Sequence, residues 1–214
     1  GFEFKAYHAD AVGKRRGGVV VIQEIFGIDQ YVKADVDRWA ALGFEAIAPS
    51  MYDRVTPDFH AEHDEAGIAA AFQTVRQAKP ADALADMQAA INLLKAKGPV
   101  FITGYCYGGA MVWQAVGRLE GLAAGSSYYG GGVAAAADLT PKVPVICHFG
   151  RKDANIPADD TKAKIQAAQP NVPVYIYENS GHGFNNDGRP DSDPDDAALA
   201  RKRTLELFEA NGAL

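Results

Sequence analysis

The fold is indicated by residues 100–109, which are Val100-Phe101-Ile102-Thr103-Gly104-Tyr105-Cys106-Tyr107-Gly108-Gly109. The apolar run at the start is typical of a buried strand, and the glycines around Cys106 predict a tight turn into a helix. Gly104 and Gly108 leave room for the chain to double back. At a helix start a thiolate is stabilised and backbone N–H groups face a developing oxyanion. The pattern points to a nucleophilic cysteine, although a buried cysteine in a glycine-rich turn has the same spacing.

Apolar runs of the same kind recur along the chain and alternate with helical patterns. The runs are residues 19–22, 143–146 and 174–176, and the helical patterns are 31–42, 81–97, 111–119, 158–168 and 195–211. Runs rich in β-branched residues indicate strands covered on both faces. Residues 2–7 alternate apolar and polar side chains and predict an antiparallel edge strand or hairpin. The order predicts an α/β fold, with a mostly parallel central sheet flanked by helices on both faces and its ligand site beyond the carboxyl ends of the strands.

The composition favours a globular protein that handles a small molecule. The chain has 214 residues, of which 48% are apolar and 22% charged, and Gly and Pro are spread without repeats, so we expect a single domain over residues 1–214. A net charge of −6 argues against nucleic acid as a partner. No apolar stretch approaches the ~18 residues that span a membrane, and no secretory signal is visible. Two cysteines suit a reducing cytosol, so we expect a cytoplasmic protein.

Two further candidate residues follow later strands. Asp153 comes after the 143–146 run, and His182 comes after the 174–176 run. Because the carboxyl ends of parallel strands meet at one edge of a sheet, both loops are expected near Cys106. Nucleophile, then acid, then histidine is the chain order of the α/β-hydrolase triad. Alone, Asp153 also suits a helix cap and His182 a turn, but their order favours the triad.

With these residues the sequence resembles the dienelactone hydrolase (carboxymethylenebutenolidase) family of α/β-hydrolases, whose nucleophile is cysteine. The resemblance covers essentially the whole chain. It is carried by residues 23–27 (Gln-Glu-Ile-Phe-Gly), 48–52, 104–109, 128–130, the Asp153 loop and 181–184. The resemblance implies an α/β-hydrolase fold, with Cys106, Asp153 and His182 as the catalytic triad. It also implies that Glu24 is a fourth catalytic residue, which helps to deprotonate the thiol when substrate binds.

Glu24 has a physical case of its own. It interrupts an apolar strand end, where an unpaired carboxylate would cost several kcal/mol of desolvation. It therefore needs a partner, which is either a group of the active site or an arginine in a structural salt bridge. The turn after the strand predicts an oxyanion hole that contains the N–H of Tyr107 and an N–H from the first strand's loop, for which the resemblance implies Ile25.

The predicted reaction is hydrolysis of carboxylic esters or lactones. A cysteine nucleophile forms a thioester with activated acyl groups, and water activated at a histidine oriented by Asp153 then releases the acyl group. The family resemblance implies arginines that hold a substrate carboxylate, one of them shortly after the histidine. Residues 185–189 are Asn-Asn-Asp-Gly-Arg, without an arginine at the expected position. Arg54 and Tyr105 are candidate substrate contacts, and carboxylic esters are a firmer expectation than dienelactone itself.

Several other features carry less chemistry. His60 and His63 have metal-like spacing, but they belong to a polar stretch that also suits a helix start, so we expect no metal and no cofactor. Cys147 on an apolar strand is expected to be an inert core thiol.

The competing hypothesis is a non-hydrolytic thiol protein, a redox sensor or ligand binder on a hydrolase scaffold. We expect a monomer or small homo-oligomer that acts on a small ester or lactone.

Overall fold

A seven-stranded sheet forms the centre of the computed structural model, which describes residues 2–214. Its strands are β1 (Ala6–Ala9), β2 (Gly17–Ile22), β3 (Phe44–Pro49), β4 (Val100–Tyr105), β5 (Ala124–Tyr128), β6 (Val145–Gly150) and β7 (Val174–Tyr177). They lie in the order β1-β3-β2-β4-β5-β6-β7, and only β1 runs antiparallel to its neighbour. The predicted mostly parallel sheet is confirmed, and the strand that precedes Cys106 lies at its centre.

Helices cover both faces of the sheet. They are α1 (Gln30–Ala41), α2 (Glu65–Gln77), α3 (Pro80–Lys95), α4 (Tyr107–Arg118), α5 (Ala158–Ala168) and α6 (Pro194–Ala210). Consecutive residues of β4 face opposite layers, as the strand period requires. The ring of Phe101 stacks on Phe208 of α6 at 4.5 Å, whereas Ile102 lies beside Val112 and Val116 of α4. Within residues 2–214 no helix is both long and apolar enough to cross a bilayer.

Two strands, β3 and β5, were not predicted from the sequence, and neither was α2 beyond its polar start. Strand β5 is Ala-Gly-Ser-Ser-Tyr, a segment without a β-branched residue, yet all five residues are buried. A Cβ on Gly125 would lie 2.6 Å from a methyl of Val116, so the small residue is required by the close approach of α4. Strand β3 buries Glu45, whose carboxylate accepts hydrogen bonds from Arg15 and Lys97 at 2.7 and 2.9 Å. Tertiary packing, rather than strand propensity, explains both segments.

Element boundaries differ from the expected ones at several places. The expected strand at residues 143–146 begins only at Val145, because Pro144 has no N–H for the ladder. Helix α4 begins at Tyr107, directly after Cys106, so no residue separates the turn from the helix. The N-terminal edge strand is confirmed, but it is confined to Ala6–Ala9. The direct junction between β4 and α4 sets the geometry of the candidate site.

Candidate active site

Cys106 occupies a sharp turn between β4 and α4. Its backbone has φ 54° and ψ −112°, in the left-handed half of the map where L-residues are strained by about 1–3 kcal/mol. A Cβ on Gly104 would lie 2.4 Å from the carbonyl oxygen of Gly108, and one on Gly108 would lie 2.3 Å from that of Ile22. Both glycines are therefore required by close approach of backbone. The turn leaves the half-buried Cys106 side chain at the carboxyl edge of the sheet.

His182 and Asp153 form a hydrogen-bonded pair at the same edge. His182 Nδ1 donates to Asp153 Oδ2 at 2.6 Å, and Asp153 Oδ1 accepts from the N–H groups of Asn155 and Ile156 at 2.8 and 3.1 Å. Burial favours the neutral carboxyl, but these hydrogen bonds, with His182 the strongest, outweigh it and lower the pKa of Asp153. The carboxylate is thus held as an anion that fixes the ring of His182.

The thiol of Cys106 acts on the protonation of His182. Burial lowers the pKa of His182, but the hydrogen bond to Asp153 and the adjacent Cys106 outweigh burial and raise it to about 10. Cys106 and His182 line the same cavity, but no hydrogen bond joins the sulfur and the ring within the described residues. Catalytic hydrogen bonds are often long before substrate aligns a site. The arrangement favours a protonated imidazole next to the sulfur.

Glu24 is buried beside this pair and bound by an amide. Its side chain accepts a hydrogen bond from Asn186 Nδ2 at 3.1 Å, and it has no ion pair within residues 2–214. Burial raises the pKa of Glu24, and the charge of Asp29 raises it further, while His63 and His182 act in the opposite direction. Within residues 2–214 the alternative of a structural salt bridge to arginine is therefore not found, and burial shifts the carboxyl toward its neutral form.

Two backbone N–H groups are available near the sulfur. Tyr107 N is the first amide of α4 and Ile25 N belongs to the turn after β2, and neither donates a hydrogen bond within the described chain. The side chain of Gln23 accepts from Met51 N at 3.3 Å and donates to the carbonyl oxygen of Glu24 at 3.4 Å. This bracing holds the Ile25 turn in place. The two amides suit an oxyanion hole of the predicted kind.

A cavity of about 470 Å³ contains these groups. Its lining residues are Glu24, Ile25, Phe26, His63, Ile68, Phe72, Cys106, Asn155, His182, Gly183, Arg189 and Asp191. One wall is apolar, because Ile68 and Phe72 of α2 face it. Arg189, in the loop between β7 and α6, also lines the cavity, and its guanidinium has no ion pair within residues 2–214. The cavity therefore offers an apolar wall and the guanidinium of Arg189 to a small ligand.

Comparison with known proteins shows the family of the chain. The model of the "Dienelactone hydrolase family" matches residues 4–212. The chain belongs to this family. The "Putative carboxymethylenebutenolidase" of Synechocystis sp. is 31% identical, covering 89% of this chain and 85% of that protein. The "Carboxymethylenebutenolidase" of Pseudomonas sp. (strain P51) is 29% identical, covering 94% and 88%.

Solved structures agree on the fold of this dienelactone hydrolase family member. A "Putative Dienelactone Hydrolase" from Klebsiella pneumoniae superposes with a TM-score of 0.82 at 28% identity, covering 95% of this chain and 92% of that chain. The Pyrococcus horikoshii acylaminoacyl peptidase, 16% identical, shares the fold alone, with a TM-score of 0.67 over 99% of this chain and 41% of its own. The fold is that of an α/β-hydrolase. Membership of the family makes the chain a hydrolase of the ester and lactone class.

Two expected substrate contacts lie outside the cavity of this hydrolase. Arg54 forms a two-pronged ion pair with Asp86, with N···O distances of 2.9 and 2.6 Å. The hydroxyl of Tyr105 donates to the buried carboxylate of Asp35 at 2.6 Å. Both side chains are thus engaged within the protein. Their contact with substrate stays a prediction, and the placement does not favour it.

The second cysteine and its neighbour belong to the core. Burial raises the pKa of the Cys147 thiol to about 12, which disfavours a thiolate. Burial lowers the pKa of His148 to about 3, and its ring nitrogens bond the hydroxyls of Ser126 and Tyr177 at 3.0 and 2.7 Å. Cys147 is therefore a core thiol, as expected, and His148 is a structural histidine.

Sequence reasoning missed several groups that line or brace the cavity. His63 was considered only as a metal ligand, whereas its Nε2 donates to Asp29 at 2.6 Å. Asn186 was noted only as the absence of an arginine, whereas its amide binds Glu24. The apolar wall was missed because α2 was not predicted beyond its polar start. No signal in the sequence could have placed His63 at the site, because its contact with Phe26 of the Gln-Glu-Ile-Phe-Gly segment exists only in the folded chain.

Proposed function

We propose that the chain cleaves carboxylic esters or lactones with Cys106 as nucleophile, through an acyl-thioester. The observation that carries the proposal is that Cys106, on its strained turn at a helix start, shares one cavity with a histidine that Asp153 holds at 2.6 Å. In this proposal the His182 imidazolium, whose ring Asp153 orients, stabilises the Cys106 thiolate. Once the thiolate is consumed, His182 loses its proton and activates water. The carbonyl oxygen of the substrate meets the N–H groups of Tyr107 and Ile25 as it gains negative charge.

Glu24 has a supporting role in the proposed acylation. A neutral Glu24, favoured by burial, avoids repulsion between a carboxylate and the nascent thiolate. When substrate enters, Glu24 releases its proton to solvent, and the carboxylate then accepts the proton of the Cys106 thiol, which becomes the nucleophilic thiolate. Asn186 supports this role, because an amide partner binds the carboxyl without fixing it as an anion.

The cavity supports a small substrate with an apolar part. Ile68 and Phe72 would bury hydrocarbon, and about 470 Å³ accommodates a compact ester or lactone. We propose that Arg189 favours acyl groups that carry a carboxylate, since no ion pair within residues 2–214 occupies it. Dienelactone itself is one member of that class.

The remaining properties are proposed on simpler grounds. One domain over residues 1–214 is supported by a continuous hydrophobic core on both faces of the sheet. A cytoplasmic setting is supported by two free cysteines, which a reducing compartment preserves. A net charge of −6 disfavours nucleic acid as a partner. The protein would act as a monomer or small homo-oligomer.

The test compares C106A with the matched control C147A on p-nitrophenyl esters and a carboxylated lactone. C106A should lose turnover, whereas C147A should retain it, because the buried Cys147 thiol is not near the cavity. Intact-mass analysis with a slow ester should show one acyl adduct, on the peptide that contains Cys106. Full turnover by C106A, or an adduct on Cys147, would contradict the proposal. Reversible oxidation of Cys106 without any ester turnover would favour the redox-sensor hypothesis instead.

A further inference from the structure

A second histidine–aspartate pair lines the same cavity. His63 Nε2 donates to Asp29 Oδ2 at 2.6 Å, because a carboxylate only accepts. Asp29 Oδ1 accepts from the N–H groups of Tyr31 and Val32, both at 2.9 Å, since Asp29 is the N-cap of α1. The carboxylate of Asp153 is held in the same way, by amides two and three residues further along the chain. Two imidazoles, each oriented by an anchored carboxylate, therefore share one cavity with Cys106.

The ring of His63 is fixed in its place and free at one nitrogen. It stacks on Phe26 with ring centroids 3.7 Å apart, and the edge of Tyr31 packs against it at 5.2 Å. Its side chain is 12% exposed and that of Asp29 is 10% exposed. Nδ1 makes no hydrogen bond within residues 2–214, so this nitrogen is available to a ligand in the cavity. A core histidine would have both nitrogens satisfied, as His148 has.

His63 also borders a second cavity, of about 280 Å³. Its polar lining includes Asp29, Lys33 and Glu62, in addition to His63. The ring therefore forms part of the wall between this polar cavity and the cavity that contains Cys106. Water in the polar cavity would connect the imidazole with bulk solvent, which is what a group that gains and loses protons requires.

We propose that His63, oriented by Asp29, is a second proton donor that protonates the leaving oxygen during acylation. As the carbonyl C–O bond breaks, its electron pair stays on the oxygen, and the Nδ1 proton of the imidazolium forms the new O–H bond. The alcohol leaves neutral and the acyl group stays on sulfur. Through water in the cavity, His63 then regains the proton that His182 releases once the thiolate is consumed, and His182 is left neutral to activate water in the second step. The inference rests on the proposed function, because it assigns a further residue to that same cleavage.

His63 is better suited than His182 to protonate the leaving oxygen. His182 lies beside the thiol, and its hydrogen bond to Asp153 at 2.6 Å holds the ring there. A separate donor would leave His182 with the sulfur while the oxygen departs on the other side of the cavity. Protonation matters only when the leaving oxygen is strongly basic. An alkoxide needs the proton, whereas p-nitrophenolate departs without it.

The experiment compares leaving groups at a constant acyl group. For H63Q, kcat/KM should fall about 10²-fold or more on the ethyl ester and stay unchanged on the p-nitrophenyl ester. D29N should show the same selective loss to a smaller extent, because asparagine still caps α1 but does not hold an imidazolium. The matched control is H60Q, since His60 lies nearby and bonds only the backbone oxygen of Asp58. H60Q should match the wild type on both esters.

The outcomes separate this inference from the function on which it rests. An equal loss by H63Q on both esters would indicate a structural role and overturn the inference, and so would an unaltered ethyl-ester rate. If the wild type lacks turnover of the p-nitrophenyl ester that depends on Cys106, the proposed function fails and this inference fails with it. If H63Q does not fold, the same comparison for D29N decides, because its helix cap is preserved.

Discussion

Replacement of Gly108 by alanine tests whether the turn at Cys106 depends on close backbone approach. The added Cβ would lie 2.3 Å from the carbonyl oxygen of Ile22 and 2.6 Å from that of Gln23. Both neighbours are backbone atoms, so no side chain can rotate away. Ordinary contact begins at 3.4 Å, and α4 must therefore move from the end of β2 by about 1 Å. We expect overpacking to cost about 1–3 kcal/mol of unfolding free energy.

The same displacement should damage the site more than the fold. It separates the two sides of the proposed oxyanion hole, because Tyr107 moves with α4 while Ile25 stays with the turn after β2. A misplacement of about 1 Å in a catalytic geometry costs on the order of 10²-fold in rate. For a chain of this size the loss of stability lowers the melting temperature by about 2–12 °C. G108A should therefore remain folded at room temperature and be nearly inactive.

The assay measures thermal unfolding and kcat/KM for a p-nitrophenyl ester on the same preparations. The matched control is G131A, because a Cβ on Gly131 meets nothing within 4 Å and its φ is ordinary. G131A should keep both the melting temperature and the activity. Wild-type activity in G108A would refute the reasoning, since it would mean that the turn tolerates the displacement or that the oxyanion hole is elsewhere.

Two further predictions concern ionisable groups of the site. The folded-state pKa of Glu24 is raised above its ordinary 4.5 by burial, so the stability it contributes is present below that pH and is lost as pH rises through the folded-state pKa. E24Q should therefore gain stability relative to the wild type as pH rises above about 4.5 in urea unfolding, and a constant difference would contradict the burial argument. In D153N the pKa of His182 should fall from about 10, because the carboxylate that holds the proton is gone, and kcat/KM should fall by about 10²–10⁴-fold. NMR titration of His182, with D159N as a surface control, checks this, and an unshifted titration would show that Asp153 does not hold the ring.

The sequence predicts those parts of the structure that depend on local patterns. The turn at Cys106 and the apolar strands are local features. Their order along the chain therefore indicates the parallel sheet and the edge where Asp153 and His182 lie. Strand β5 escapes prediction because its glycine and serines are buried only by the approach of α4. The strand propensity of these residues does not reflect that contact.

The unpredicted part of the site consists of long-range pairs. Asn186 and Glu24 are 162 residues apart, and His63 and Asp29 are 34 apart, so neither pairing follows from spacing in the chain. In the sequence His63 resembles a metal ligand. In the structure it resembles a catalytic histidine, because Asp29 binds and orients its ring. A buried polar side chain predicts that a partner exists, as it does for Glu24, but not which residue that partner is.

The left-handed backbone of Cys106 has a consequence for the order in which the protein folds. A cysteine does not adopt φ 54° by its own preference, so local structure formation alone does not build this turn. The turn is held by Cys106 N, which donates to the carbonyl oxygen of Tyr128 at 3.0 Å, and by the backbone of Ile22 against Gly108. Both contacts exist only after β2 and β5 have docked on either side of β4. We therefore expect the Cys106 turn to form only after both neighbouring strands have docked. A partly folded chain without either strand would contain the cysteine but lack the geometry of the site.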